Sequence, residues 1–246
     1  LIIANPNLDQ IDNIIKIFSP SYYLIKKKLL LNSNKIIAPS NYIKNKYLEI
    51  SNLDITIDVI YHPDININQI NNKIIINKIE NKFKILIIGN NKGIDQIIEF
   101  IENINDNDNI EIIYLGPINL EININLKKIN IYSLNYQDET VSIDIHKINP
   151  HIIWFPSKIP ETYCYALSIP IILGYPIVAY NVGAFTERLE NRKYTWLLDS
   201  NQTLYNYIEI IKEKFNNKIL DNDNTLYKNV YEKKIIENYF FHLFKK

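Results

Sequence analysis

The chain of 246 residues holds only five glycines and two arginines, and the side chains with a use in chemistry gather near them. The first group is Gly89-Asn90-Asn91-Lys92-Gly93, which follows an apolar run and opens a segment of helical period. A helix that starts at the carboxyl end of a strand aims backbone N–H groups and the positive end of its dipole at an anion. Lys92 adds a charge suited to a phosphate. The spacing is neither the Walker pattern nor G-x-G-x-x-G, so an ordinary strand-to-helix turn with a solvated lysine accounts for it as well. The second group is Pro160-Glu161-Thr162-Tyr163-Cys164-Tyr165, just beyond the apolar run 151–155. Proline and an acidic residue both suit a helix start. Glu161 therefore reads either as a cap or as an acceptor for sugar hydroxyls. In the second reading the amides of Thr162, Tyr163, Cys164 and Tyr165 receive a phosphate.

Something must hold these two groups at one edge. Short apolar runs predict strands at 35–38, 55–61, 84–89, 110–115, 129–132, 151–155, 176–180 and 194–198. Segments of helical period between them predict helices at 42–50, 94–104, 139–148, 162–173, 184–190 and 204–215, with Ser40, Asp138 and Ser200 placed at helix starts. Strands alternating with helices give a parallel sheet covered on both faces. In such a sheet, ligands bind beyond the carboxyl ends of the strands, where both groups fall.

Composition narrows the field. Hydrophobic content of 47% against 22% charged supports a folded core and excludes a disordered chain. Lys+Arg and Asp+Glu both number 27, which argues against a nucleic-acid partner. The 53 Ile and 36 Asn beside five Gly reflect AT-rich coding, so isoleucine loses weight as a strand signal and the scarce residues gain it. Cys164 stands alone, which excludes an internal disulfide and points to a reducing, cytoplasmic setting. The four histidines lack ligand spacing, so neither a metal nor a cofactor is expected. No run is long and apolar enough to span a membrane. Lys26-Lys27-Lys28 has the charge for peripheral contact with the inner face of a membrane, although a solvated helix face is the simpler account. There is no Met, and residues 1–4 read as the middle of an element, so the sequence is expected to be part of a longer protein.

The stretch 156–189 resembles the donor-binding core of GT-B-type glycosyltransferases of the bacterial polysaccharide and O-antigen assembly group, the group 1-like glycosyl transferases. The resemblance lies in Pro160-Glu161, the helix after them, Gly174-Tyr175-Pro176-Ile177-Val178-Ala179 and Gly183-Ala184-Phe185-Thr186-Glu187-Arg188-Leu189. Upstream, 85–89 with Lys92-Gly93 is similar to the first strand and phosphate loop of the same domain. The stretches 36–40 and 59–63 are similar to the last strands of the preceding one.

The resemblance implies an α/β, GT-B-like fold: one complete Rossmann-like parallel-sheet domain plus the C-terminal remnant of a second. The expected divisions are 1–63 (acceptor-side remnant), 64–82 (connection), 83–220 (nucleotide-sugar-binding domain) and 221–246 (a final helix crossing back). It implies transfer of a sugar from a nucleotide-diphosphate donor to a growing polysaccharide or lipid-linked glycan. Lys92 would contact the diphosphate and Glu161 the sugar hydroxyls, with Gly89, Asn90, Asn91 and Gly93 lining the donor. A lysine and a helix N-terminus can stabilise a departing diphosphate without a metal. The rival reading is a degenerate or non-catalytic α/β module that binds sugar or nucleotide.

Three departures bear on activity. The family's second glutamate, eight residues after the first, falls at Ile169, which cannot accept a ribose hydrogen bond. Pro170 follows within the expected helix and should kink it or end it early. The basic partner often found beside the phosphate loop is Asn90 or Asn91 here.

Overall fold

The computed structural model describes residues 28, 30–51, 53–62, 79, 81–89, 92–117, 129–133 and 140–216. The Lys26-Lys27 pair, Asn90, Asn91, Asp138, most of the 64–82 connection and the final helix expected from 225 onward lie outside them. Upstream, β1 (Ile37–Ala38), α1 (Asn41–Ser51) and β2 (Asp58–Val59) form a small parallel pair with one helix against it. The main body runs β3 (Phe83–Ile88), α2 (Ile94–Asn103), β4 (Ile110–Leu115), β5 (Ile129–Ser133), α3 (Val141–Ile148), β6 (Ile152–Phe155), α4 (Tyr165–Leu173), β7 (Ile177–Tyr180), α5 (Ala184–Leu189), β8 (Thr195–Leu198) and α6 (Leu204–Asn216). Within the described residues the expected strands and helices form, with β1 and β2 shorter than their apolar runs.

Six of these strands make one all-parallel sheet in the order β5-β4-β3-β6-β7-β8. The side-chain period of two explains its layers. From β3, Phe83, Ile85 and Ile87 pack with Ile97 and Phe100 of α2 and with Ile208 and Ile211 of α6. The alternate residues Leu86 and Ile88 pack on the other face with Ile145 of α3, Leu167 and Ile169 of α4 and Phe185 of α5. Helices thus cover both faces, which is why β6 and β7 read as unbroken apolar runs.

Local chemistry sets the helix ends. Ser40 Oγ accepts the Ile43 N–H at 3.3 Å, as a capping serine should. Ser200 does not cap α6. It lies in a turn closed by Gln202 N–H to Asp199 O at 2.9 Å, and Thr203 leads into the helix with its hydroxyl on Asn206. Helix α4 begins at Tyr165 rather than Thr162, and it runs through Pro170 to Leu173 instead of ending there. Its stop is a Schellman motif: Gly174 has φ 80°, Gly174 N–H donates to Ile171 O, and Tyr175 N–H donates to Pro170 O. The proline accepts one of the terminal bonds and is itself buried.

Candidate functional site

The chain leaves β3 toward α2 on one face and leaves β6 toward α4 on the other, although the two strands are neighbours. Connections that diverge in this way open a crevice at the carboxyl ends of the pair. The two groups singled out in the sequence meet there. Lys92 Nζ lies 2.5 Å from Glu161 Oε1, across 69 positions of sequence. Their side chains differ in setting, with 49% of Lys92 exposed and 14% of Glu161.

Backbone packing brings them together. Gly93 has φ 78°, and a Cβ there would lie 2.5 Å from the Pro156 carbonyl carbon, so only glycine lets the β3 turn sit against the β6 loop. Gly183 does the same from the β7 side. At φ 56° it sits where a Cβ would meet the Glu161 N and O at 2.8 Å. The Ala184 N–H then donates to Glu161 O at 2.9 Å. Buried Ser157 shapes the start of the loop, its Oγ accepting the Ile159 N–H at 3.1 Å.

The far end of the loop rests on Arg188. Its guanidinium donates to Tyr163 O at 3.0 Å, Cys164 O at 2.7 Å and Ser168 Oγ at 2.7 Å. It also lies 4.0 Å from the centre of the Tyr163 ring. Cation, fork and stacking act together here, which lysine could not reproduce. The Tyr163 ring is buried, and its hydroxyl donates to His62 O at 2.8 Å, in the upstream part of the chain. Burial, then the nearby Arg188 charge, push His62 below its ordinary pKa.

The other expected site residues divide. Gly89 is close by, its carbonyl taken by the Tyr114 hydroxyl at 3.1 Å. Thr162 and Tyr163 precede α4, so of the four expected amides Tyr165 supplies the helix's first N–H and Cys164 sits at the N-cap with φ 63°. That position does not activate the thiol. Burial, with the Glu161 charge adding to it, pushes Cys164 up to about 12, against smaller opposing effects of the Leu167 N–H, Arg188 and Lys92. Asn90 and Asn91 lie outside the described residues. Ile169 is fully buried in the core beside Phe185, so the position of the family's second glutamate faces apolar side chains. Among the described residues, no three His, Cys, Asp or Glu gather as a metal site would require, and no helix is long and apolar enough to cross a membrane. Ser157 and Arg188 were given no role from sequence. Arg188 carried a signal, being one of only two arginines.

No protein-family model matches the sequence, and no curated protein is similar to it in sequence. Solved structures are similar to it in fold. Anabaena HepE in complex with UDP superposes with a TM-score of 0.65 at 16% identity, over 89% of this chain and 65% of that one. Sucrose-phosphate synthase from Thermosynechococcus elongatus gives a TM-score of 0.65 at 14% identity, over 94% of this chain and 64% of its own. TarM gives 0.64 at 14% identity, over 89% of this chain and 45% of its own. The fold is GT-B-like. The resemblance read from 156–189 holds at the level of fold, and the chain spans about two-thirds of HepE. A GT-B-like fold accounts for the position of the crevice, since the order β5-β4-β3-β6-β7-β8 is the doubly wound order with its switch between β3 and β6.

Proposed function

We propose that this chain is the donor-binding part of a glycosyltransferase, which moves a sugar from a nucleotide-diphosphate donor to a growing polysaccharide or lipid-linked glycan. In this reading residues 83–220 form the donor domain, 1–63 end an acceptor-side domain joined through 64–82, and 221–246 return toward it. The enzyme works in the cytoplasm, at the inner face of the membrane where a lipid-linked acceptor would be presented. The observation that carries the reading is the meeting of Lys92 and Glu161 at the switch point. A cation and a carboxylate side by side match a ligand that has a diphosphate at one end and hydroxyls at the other. When donor enters, the ammonium exchanges its carboxylate partner for phosphate oxygens, and Glu161 is released to accept sugar O–H groups. Charge building on the departing diphosphate is then met by Lys92 and by the N–H groups that open α2 and α4. The crystallised UDP complex of HepE, a structure of similar fold, supports uridine nucleotides as the first donors to try.

Calorimetric titration of UDP-glucose and UDP into the chain tests this. Wild type should bind. Lys92→Ala and Glu161→Ala should each weaken binding by about tenfold or more, with melting temperatures close to wild type. Two folded variants that bind as tightly as wild type would remove the site.

Ile169 favours a second reading, a degenerate or non-catalytic relative that holds nucleotide or sugar without transfer, because no carboxylate stands where ribose would be gripped. UDP-glucose binding without release of UDP by the full-length protein and acceptor would select it. A melting shift with free sugar or flavin but not with nucleotide would point to an unrelated binder.

A further inference from the structure

Helix α5 carries Glu187 and Arg188 side by side, and the two reach opposite ways. Arg188 holds the loop that bears Glu161, through the carbonyls of Tyr163 and Cys164. Glu187 reaches upstream, where Oε1 accepts the Asn41 N–H at 3.2 Å and Oε2 accepts the Tyr42 N–H at 3.1 Å. Those N–H groups open α1, so a carboxylate from the sheet domain occupies the positive end of a helix in the upstream unit. A second tie crosses at the same place: the Tyr163 ring, stacked on Arg188, sends its hydroxyl to His62 O. The upstream unit therefore meets the main body through Glu187 and Tyr163, and Arg188, next to Glu187 in α5, holds the loop that carries both Tyr163 and Glu161.

We propose that Glu187 and Arg188 are positioning residues which join the upstream unit to the donor loop, so that the geometry at Glu161 depends on how the upstream unit is seated. This rests on the donor site proposed above. Glu187 acts through the backbone that opens α1, and Arg188 through the backbone of the loop that carries Glu161. The joint gives an acceptor-side unit a physical route to the donor loop.

The other arginine provides the control. Arg192 also forks onto the chain, to Tyr175 O at 2.6 Å and to Thr195 Oγ1 at 3.1 Å, but it serves the β7–β8 side and no bond of the 156–164 loop. In the whole chain, Arg188→Met should weaken UDP-glucose binding by about tenfold per folded molecule, and Arg188→Lys should recover part of it. Arg192→Met should lower the melting temperature with affinity held within about twofold. Amide hydrogen exchange supplies a readout that needs no ligand. Glu187→Ala should speed exchange at 162–166, residues it does not touch, as well as at 41–44. Faster exchange at 41–44 alone, or Arg188 and Arg192 variants that behave alike in affinity, would overturn the joint. If Arg188→Met fails to fold, the lysine variant and the Glu187→Ala exchange decide the matter. If wild type binds no UDP-glucose, the donor reading fails while the exchange still reports on the joint.

Discussion

The turn after β3 and the loop after β6 arrive at the same point by different means. The loop is built: Ser157, Gly183, Arg188 and the Ala184 N–H each hold part of it, and the Tyr163 side chain is buried beneath it. The turn is set down on that loop, meeting it through the Gly93 backbone against Pro156 and Ser157 and through the Lys92–Glu161 ion pair. Exposure follows the same division, with Glu161 largely covered and Lys92 half open. A carboxylate that must judge sugar hydroxyls gains from a fixed frame, since misplacement weakens every bond it makes. A lysine meeting a diphosphate tolerates freedom, because a point charge on a flexible stem has little directional demand.

Substitutions beneath the loop should therefore be severe. Ile169→Glu tests the extreme case. The family pattern suggests a restored ribose contact, but the side chain is fully buried among Leu86, Leu167 and Phe185. Placing a carboxylate there is expected to cost about 4 kcal/mol or more and to yield no tighter nucleotide binding. Denaturant unfolding checks the first outcome, and titration of whatever folds checks the second. A stable Ile169→Glu chain with improved UDP affinity would mean that α4 turns this position to the crevice.

Gly183→Ala should come next, at about 2–3 kcal/mol, because the new methyl meets the backbone of Glu161 at a φ that alanine rarely adopts. The Glu161 carboxylate should shift with it, so affinity should fall along with stability. Gly93→Ala tests the same idea from the β3 side. It should cost a similar amount if the Pro156 backbone cannot yield, and clearly less if the turn lifts away.

The strand and helix pattern was legible because parallel strands covered on both faces must be apolar throughout, as 85–88 and 152–155 are, whatever the coding bias. The site was legible through scarcity: Gly93, Gly183 and Glu161 sit where only those residue types suit the backbone or the charge. The start of α4 was not, since Pro160-Glu161 is a sound helix opening, whereas here the segment bends, with Cys164 at φ 63° and Arg188 holding the carbonyls of Tyr163 and Cys164. Nor was the burial of Ile169 read in advance. A motif spacing names a position along the helix, while the direction a side chain takes depends on where the helix begins and how it packs. The β1–β2 unit was placed correctly but overextended, because isoleucine runs in this chain outlast the hydrogen-bonded pair.

Cys164 measures how closed the loop is at its covered end. A thiol normally ionises near pH 8.5; this one keeps part of its surface exposed, but desolvation first and the Glu161 charge second push it up to about 12. Because the folded value lies above the unfolded one, the contribution to stability is intact below about pH 8.5 and is lost as pH rises toward 12. Alkylation at pH 8 should thus be slow in the native chain and rapid in denaturant, paced by opening of the loop. Labelling at the free-thiol rate in folded protein would show that the loop after β6 opens as readily as the turn after β3.

The smallest effect belongs to Lys92→Ala. The ion pair with Glu161 is short, but the ammonium is half exposed, and such pairs contribute about 0–1 kcal/mol after solvent screening and side-chain entropy are counted. Thermal unfolding should place the variant close to wild type. The small value itself discriminates between the two segments. If the loop is framed by Arg188, Gly183 and Ser157, removing Lys92 leaves Glu161 where it is, and Cys164 should stay as slow to alkylate as before. Should Lys92→Ala instead unfold readily or expose Cys164, the pair would be holding the loop in place, and the division between a built frame and a mobile cation would fail.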